Sequence, residues 1–205
     1  MSALSEHWEG HYSGTGRHWT GRPNPLLVST VSDLPPGRAL DLGCGEGGDA
    51  VWLARQGWDV TAVDVSANAL ERTRALASSA GVLVRTSRHD LSSSFPAGEF
   101  ELVSAQYFHS PVEFPREAAL RRAASAVVPG GLLLIVDHGA APPWSPYAHD
   151  GTYFPTPAET LAALALDPAA WSVERVEALE RETTGPGGMT GTLVDNIIAV
   201  MRNPE

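Results

Sequence analysis

Five residues stand at spacings that could do chemistry: Asp41, Gly43, Gly45, Gly48 and Asp64. They fall in the stretch from Ala39 to Ser66, ALDLGCGEGGDAVWLARQGWDVTAVDVS. A short apolar run ends in an acid, a glycine-rich turn and a helical pattern follow, and a second apolar run ends in another acid. That order predicts strand, loop, helix, strand. In such a unit the glycines let a ligand approach the backbone where the first strand ends, and the second acid reaches the ligand's sugar from the neighbouring strand. The expected ligand is a nucleoside.

Charge narrows the choice. Gly43, Gly45 and Gly48 satisfy G-x-G-x-x-G, which makes a nicotinamide or flavin cofactor the first candidate. Asp41, however, lies two residues before the first glycine and Glu46 lies inside the loop, so two carboxylates would face a negatively charged pyrophosphate. A phosphate-free ligand with a cationic head fits better. S-adenosylmethionine has a sulfonium, an α-amino group and a ribose diol, with Asp41 suited to the cationic end and Asp64 to the diol. Two other classes stay open: an NAD(P)-dependent oxidoreductase, favoured by the bare glycine spacing, and a non-catalytic adenosyl-ligand-binding protein.

The run D-L-G-C-G-E-G followed by V-D-V-S resembles the cofactor loop of class I S-adenosylmethionine-dependent methyltransferases. Chain length and the N-terminal W-x-G-R-P-N also look like the compact group that holds the tellurite-resistance and thiopurine methyltransferases. The resemblance runs from Trp19 onward. It implies a doubly wound, mostly parallel seven-stranded α/β sheet ending in an antiparallel hairpin. It also implies that Asp90 contacts the adenine amino group, with Leu91 against the ring. The cofactor set expected on these grounds is Asp41, Gly43, Cys44, Gly45, Asp64, Val65, Asp90, Leu91 and Gln106, with Tyr12 and Trp19 from the N-terminal segment.

The elements that must position these residues follow from pattern. Residues 1–37 read as an irregular cap with one helix, begun by Asn24 as N-cap and Pro25 at the first helical position. Strands are predicted over Arg38–Leu42, Trp58–Val63, Leu83–Thr86, Phe100–Ala105 and Leu132–Val136, with helices between them. Gly57 and Gly81 are natural helix stops, and Pro129 to Gly131 should end the helix before the fifth strand. Thr156, Pro157 and Glu159 form a capping box. Trp171–Leu179 and Leu193–Met201 look like the hairpin. The expected organisation is one domain over 1–205: cap to 37, cofactor core 38–137, and then a substrate loop, helix and hairpin over 138–205.

In open α/β sheets ligands bind at the carboxyl ends of the strands, which adds residues 106–109, Asp137 and His138 to the candidates. Methyl transfer from a sulfonium mainly requires alignment, and a general base only where the acceptor is protonated at working pH. His109 and His138 are the catalytic candidates. Tyr107, Phe108, Trp144 and Tyr147 could wall the acceptor, with Trp8, Tyr12, Trp19 and Arg22 from the cap. Cys44 reads as a packing residue and not as a nucleophile. His7 and His11 share helical spacing, but no second ligand cluster accompanies them, so no metal is expected.

Composition bounds the partners. The formal net charge is −10, and all fourteen basic residues are arginine. That balance disfavours an extended nucleic-acid surface and favours a small-molecule acceptor such as a thiol or metalloid oxyanion. One cysteine excludes an intramolecular disulfide, and no apolar run approaches the roughly 20 residues of a membrane span. The expectation is a cytoplasmic monomer or homodimer with no membrane contact.

Overall fold

The computed structural model describes residues 2–141, 144, 145, 148, 152–184 and 186–204. Seven strands make one sheet in the order β3-β2-β1-β4-β5-β7-β6. The strands β1 (Arg38–Leu42), β2 (Asp59–Asp64), β3 (Arg85–Arg88), β4 (Phe100–Gln106) and β5 (Val127–Ala140) run parallel. β6 (Trp171–Thr184) and β7 (Thr190–Arg202) form an antiparallel hairpin whose second strand docks on β5. This is the sheet that the sequence resemblance implied.

Among the described residues six α-helices accompany it: α1 (Ala3–His11), α2 (Pro25–Val31), α3 (Gly48–Arg55), α4 (Ala67–Ala80), α5 (Arg116–Ser125) and α6 (Pro157–Ala163). Among the described residues no helix is long and apolar enough to cross a membrane. Both faces of the central strands are apolar because helices cover both. Leu40, Leu42, Val103, Leu133 and Ile135 pack with Ala119, Leu120 and Ala123 of α5. Ala39, Val60, Leu102, Leu134 and Val136 pack on the other side with Leu27 and Val31 of α2 and with Leu53 of α3. The two sets alternate along each strand with the period of the pleat.

Local signals set most helix ends. Asn24 accepts from Leu26 N–H, Ser66 from Ala69 N–H, and Thr156 and Glu159 complete the reciprocal capping box. Gly81 ends α4 in the left-handed region. Four boundaries differ from expectation. The cap opens on a true helix, α1, whose N-cap is Ser2. β3 lies two residues later than predicted, since pairing begins at Thr61↔Arg85 and Leu83 is left 80% exposed. β5 already starts at Val127: Pro129 to Gly131 form an irregularity within the strand, with Gly130 at φ +78°, where the register to β4 shifts. The hairpin strands are several residues longer than predicted.

Candidate cofactor and acceptor site

The carboxyl ends of β1, β2 and β4 bring the predicted cofactor residues together. Gly43 and Gly45 hold φ of +66° and +54°, where a side chain is strained. Cys44 N–H donates to the Val63 carbonyl at 3.0 Å and ties the loop to the end of β2. Asp64 fixes the loop shape: Oδ2 accepts from Gly45 N–H at 3.0 Å and Oδ1 from Ser66 N–H at 2.9 Å. Each oxygen keeps a lone pair for a diol. The Cys44 sulfur turns to Thr73 Oγ1 at 3.7 Å and burial holds the thiol protonated, so the residue meets the loop's ligand side through its backbone.

Asp41 is 2% exposed and its Oδ2 is a buried acceptor with no partner among the described residues. Ala50 N–H at the start of α3 serves this carboxylate, and burial, together with the nearby charges of Asp49 and Asp64, holds its pKa well above the usual range. A cationic ligand group would supply what Asp41 lacks. Arg72, which reaches the same loop, is taken up by Glu46 and by the carbonyls of Tyr12, Gly14 and Gly16, and so offers nothing to a pyrophosphate. The donor set therefore fits S-adenosylmethionine.

Glu46 corrects the charge argument made from sequence. It does not face a ligand. It is buried, accepts from His18 N–H and Trp19 N–H at 3.1 Å each, and pairs with Arg72. Its role is to clamp the cap. Further ties run from the cap to each neighbouring loop: Ser2 donates to Asp90, Ser66 Oγ donates to Glu9, Trp8 Nε1 donates to Ser110, and Asn24 Nδ2 donates to Gln106 at 2.9 Å. Asp90 carries Ser2 and Ser92 on its carboxylate, and Leu91 is buried beside it. A Cβ on Gly45 would lie 3.0 Å from the Tyr12 hydroxyl and 3.6 Å from Trp19 Nε1, so both cap aromatics reach the loop. Val65 follows Asp64, and its carbonyl accepts from Arg88.

The second half of the site lies at the ends of β4, β5 and β7. Asp137 is fully buried and gripped by Arg116 Nη2 at 2.6 Å from both oxygens. His109 Nε2 lies 3.3 Å from Asp137 Oδ1, off the line of a hydrogen bond, and is otherwise unpartnered among the described residues. Burial first, and then the Arg116 charge, lower the His109 pKa to about 3. His138 stacks on Tyr107 at 4.2 Å and 19°, its Nδ1 is buried without a partner among the described residues, and burial also lowers its pKa. Tyr107 has φ +50°, and its hydroxyl donates to Asp195 Oδ1 at 2.9 Å, while Arg181 holds the other oxygen of Asp195. Both histidines are held neutral, and burial makes each a weaker base than a free imidazole.

The aromatic candidates divide. Tyr107 and Phe108 line this corner, and a Cβ on Gly43 would lie 2.8 Å from the Phe108 ring. Trp144 is half-buried, Tyr147 lies outside the described residues, and Arg22 forms no ion pair among them. Sequence reasoning missed Asp49, Arg116, Arg181 and Asp195. Their partners come from other elements, so no local spacing marks them.

Residues 39–131 match the methyltransferase domain family. The ribosomal RNA small subunit methyltransferase C of Alcanivorax borkumensis is 34% identical over 110 residues, covering 52% of this chain and 34% of that one. Across the first curated relatives the matched stretch spans 30% to 57% of their length. Of the solved structures, a protein from work on conversion of a disulfide bond into a thioacetal group during echinomycin biosynthesis superposes with TM-score 0.75, at 21% identity, over 98% of this chain and 93% of that one. TehB from Haemophilus influenzae superposes with TM-score 0.70, at 17% identity, over 98% and 67%. With this strand order, this glycine loop and a matched methyltransferase domain at its centre, the chain has the class I S-adenosylmethionine-dependent methyltransferase fold.

Proposed function

We propose that the protein transfers a methyl group from S-adenosylmethionine to a small-molecule acceptor. The observation that carries this reading is the buried Oδ2 of Asp41, which has no partner among the described residues, at a glycine loop where neither Asp41 nor Asp64 forms an ion pair with any arginine. Bound there, the cofactor supplies a methyl group on an already activated leaving sulfur. The chain's own residues bind and align. Asp41 faces the cationic end, Asp64 takes the ribose diol on its remaining lone pairs, and Asp90 exchanges the Ser2 hydroxyl for the adenine amino group. Gln106, held between Asn24 and Ser104, borders the passage from the cofactor loop to the acceptor corner. Alignment alone is worth ~7 to 11 kcal/mol in reactions of this kind.

On the acceptor side Tyr107, Phe108 and the cap aromatics form apolar walls, and His109 and His138 are the groups placed to take a proton from an acceptor heteroatom. A small acceptor is favoured by this enclosure and by the net charge of −10, which opposes a polyphosphate partner. The test is methyl release from labelled S-adenosylmethionine across thiols, phenols, metalloid oxyanions and small-subunit ribosomal RNA. Turnover on a small acceptor supports the reading. Activity confined to RNA would overturn the acceptor class, and NADH binding without S-adenosylhomocysteine binding would overturn the cofactor.

A further inference from the structure

Asp49, in the first turn of α3, is a carboxylate that sequence reasoning left unassigned. It is half-buried and accepts from Asn24 N–H at 2.6 Å. Asp41 shares this helix start through Ala50 N–H, and its other oxygen is sealed from solvent with no partner among the described residues. The groups facing Asp41 are Asp49 from α3, Asp64 from β2 and the protonated Cys44 thiol from the loop. Among the described residues, which include every arginine, none forms an ion pair with Asp41, Asp49 or Asp64. The α3 dipole supplies only about half a positive charge. Two carboxylates at one helix start, unbalanced by any cation, cannot both stay ionised without cost.

We propose that Asp41 and Asp49 hold one proton between them in the ligand-free protein, and that uptake of S-adenosylmethionine expels it to solvent. The cofactor and its demethylated product are thereby told apart by pH. The inference rests on the cofactor assigned above. The two ligands share the α-amino and carboxyl groups and the adenosine, and differ by the sulfonium charge. An ionised Asp41–Asp49 pair favours the sulfonium form, whereas a pair that keeps its proton discriminates less. Consistent with this, burial holds the Asp49 pKa up at about 6.

Calorimetric titration at pH 6 in two buffers of different ionisation enthalpy, phosphate and ACES, reads the proton directly. At that pH the ligands' amino groups stay charged, so their own titration adds little to the difference. Up to about one proton should leave on binding S-adenosylmethionine, and fewer on binding S-adenosylhomocysteine. The affinity ratio of cofactor to product should rise between pH 5 and 7.5, by at most about tenfold per pH unit. Asp49→Asn keeps the acceptor for Asn24 N–H and should flatten both signals. Buffer-independent heats for a wild type that binds the cofactor would overturn the proposal, and so would a pH-independent affinity ratio. No binding of either ligand at any pH would instead remove the cofactor assignment. Should Asp49→Asn fail to fold, the wild-type buffer comparison decides alone.

Discussion

Toward β1 and β2, Asp41, Asp49 and Asp64 meet only backbone N–H groups, whereas toward β5 and β7 the equally enclosed Asp137 and Asp195 are each gripped by an arginine. The difference separates two uses of a buried acid. An acid paired within the fold has its charge met by an arginine, although burial still raises the Asp137 pKa and both acids still act on His138. Arg116 neutralises Asp137, so His109 gains nothing from a carboxylate 3.3 Å away and stays neutral. An acid left without a cation is costly to ionise and is completed by whatever cation arrives. Cofactor side and acceptor side can therefore be perturbed with opposite consequences.

The largest effect should come from Gly45→Val. A Cβ there meets the Tyr12 hydroxyl at 3.0 Å from a strained φ of +54°, crowding the ligand's approach and pushing at the cap together. Binding of S-adenosylhomocysteine should fall below calorimetric detection while far-UV dichroism keeps its native form. Retained affinity would reduce the loop to a turn. Next is Arg116→Ala, which strands Asp137 and should lower unfolding free energy by about 3 to 5 kcal/mol in urea titrations. Arg38→Ala, which breaks an exposed pair with Glu101, should cost far less in the same titration. Equal losses in the two variants would erase the contrast between buried and surface pairs.

Asp64→Ala should weaken cofactor and product alike, by roughly 1.5 to 3 kcal/mol, because both carry the ribose diol. A loss confined to one ligand would give Asp64 a different role. The smallest effect concerns acid. His109 is harder to protonate folded than unfolded, so its contribution to stability is present above pH 6.5 and is lost as pH falls toward about 3. Melting scans of His109→Asn should show a shallower decline below pH 6.5 than wild type. Parallel curves would mean that His109 is protonated in the native state without penalty.

How much of this was legible beforehand depended on the range of each interaction. The caps at Asn24, Ser66 and Thr156 and the stops at Gly57 and Gly81 act within a few residues, and the pattern shows them. The glycine loop and its two acids were legible for the same reason. Glu46 was misread because its partners, His18, Trp19 and Arg72, lie 26 to 28 positions away. Helix α1 was missed because only Leu4 and Ser5 are buried along it, leaving no apolar stripe to read. The Arg116–Asp137 and Arg181–Asp195 pairs join different elements, which no spacing rule reaches.

The ties of the cap also fix a timetable. Ser2 waits for Asp90, Trp8 for Ser110 and Asn24 for Gln106, which are 88, 102 and 82 positions downstream. A nine-residue helix such as α1 is too short to persist in water alone. On the ribosome, where chains grow at about 5 to 20 residues per second, these ties must wait several seconds until β4 and the loop after it emerge. The cap, made before its partners, is thus among the last parts of the domain to take its shape.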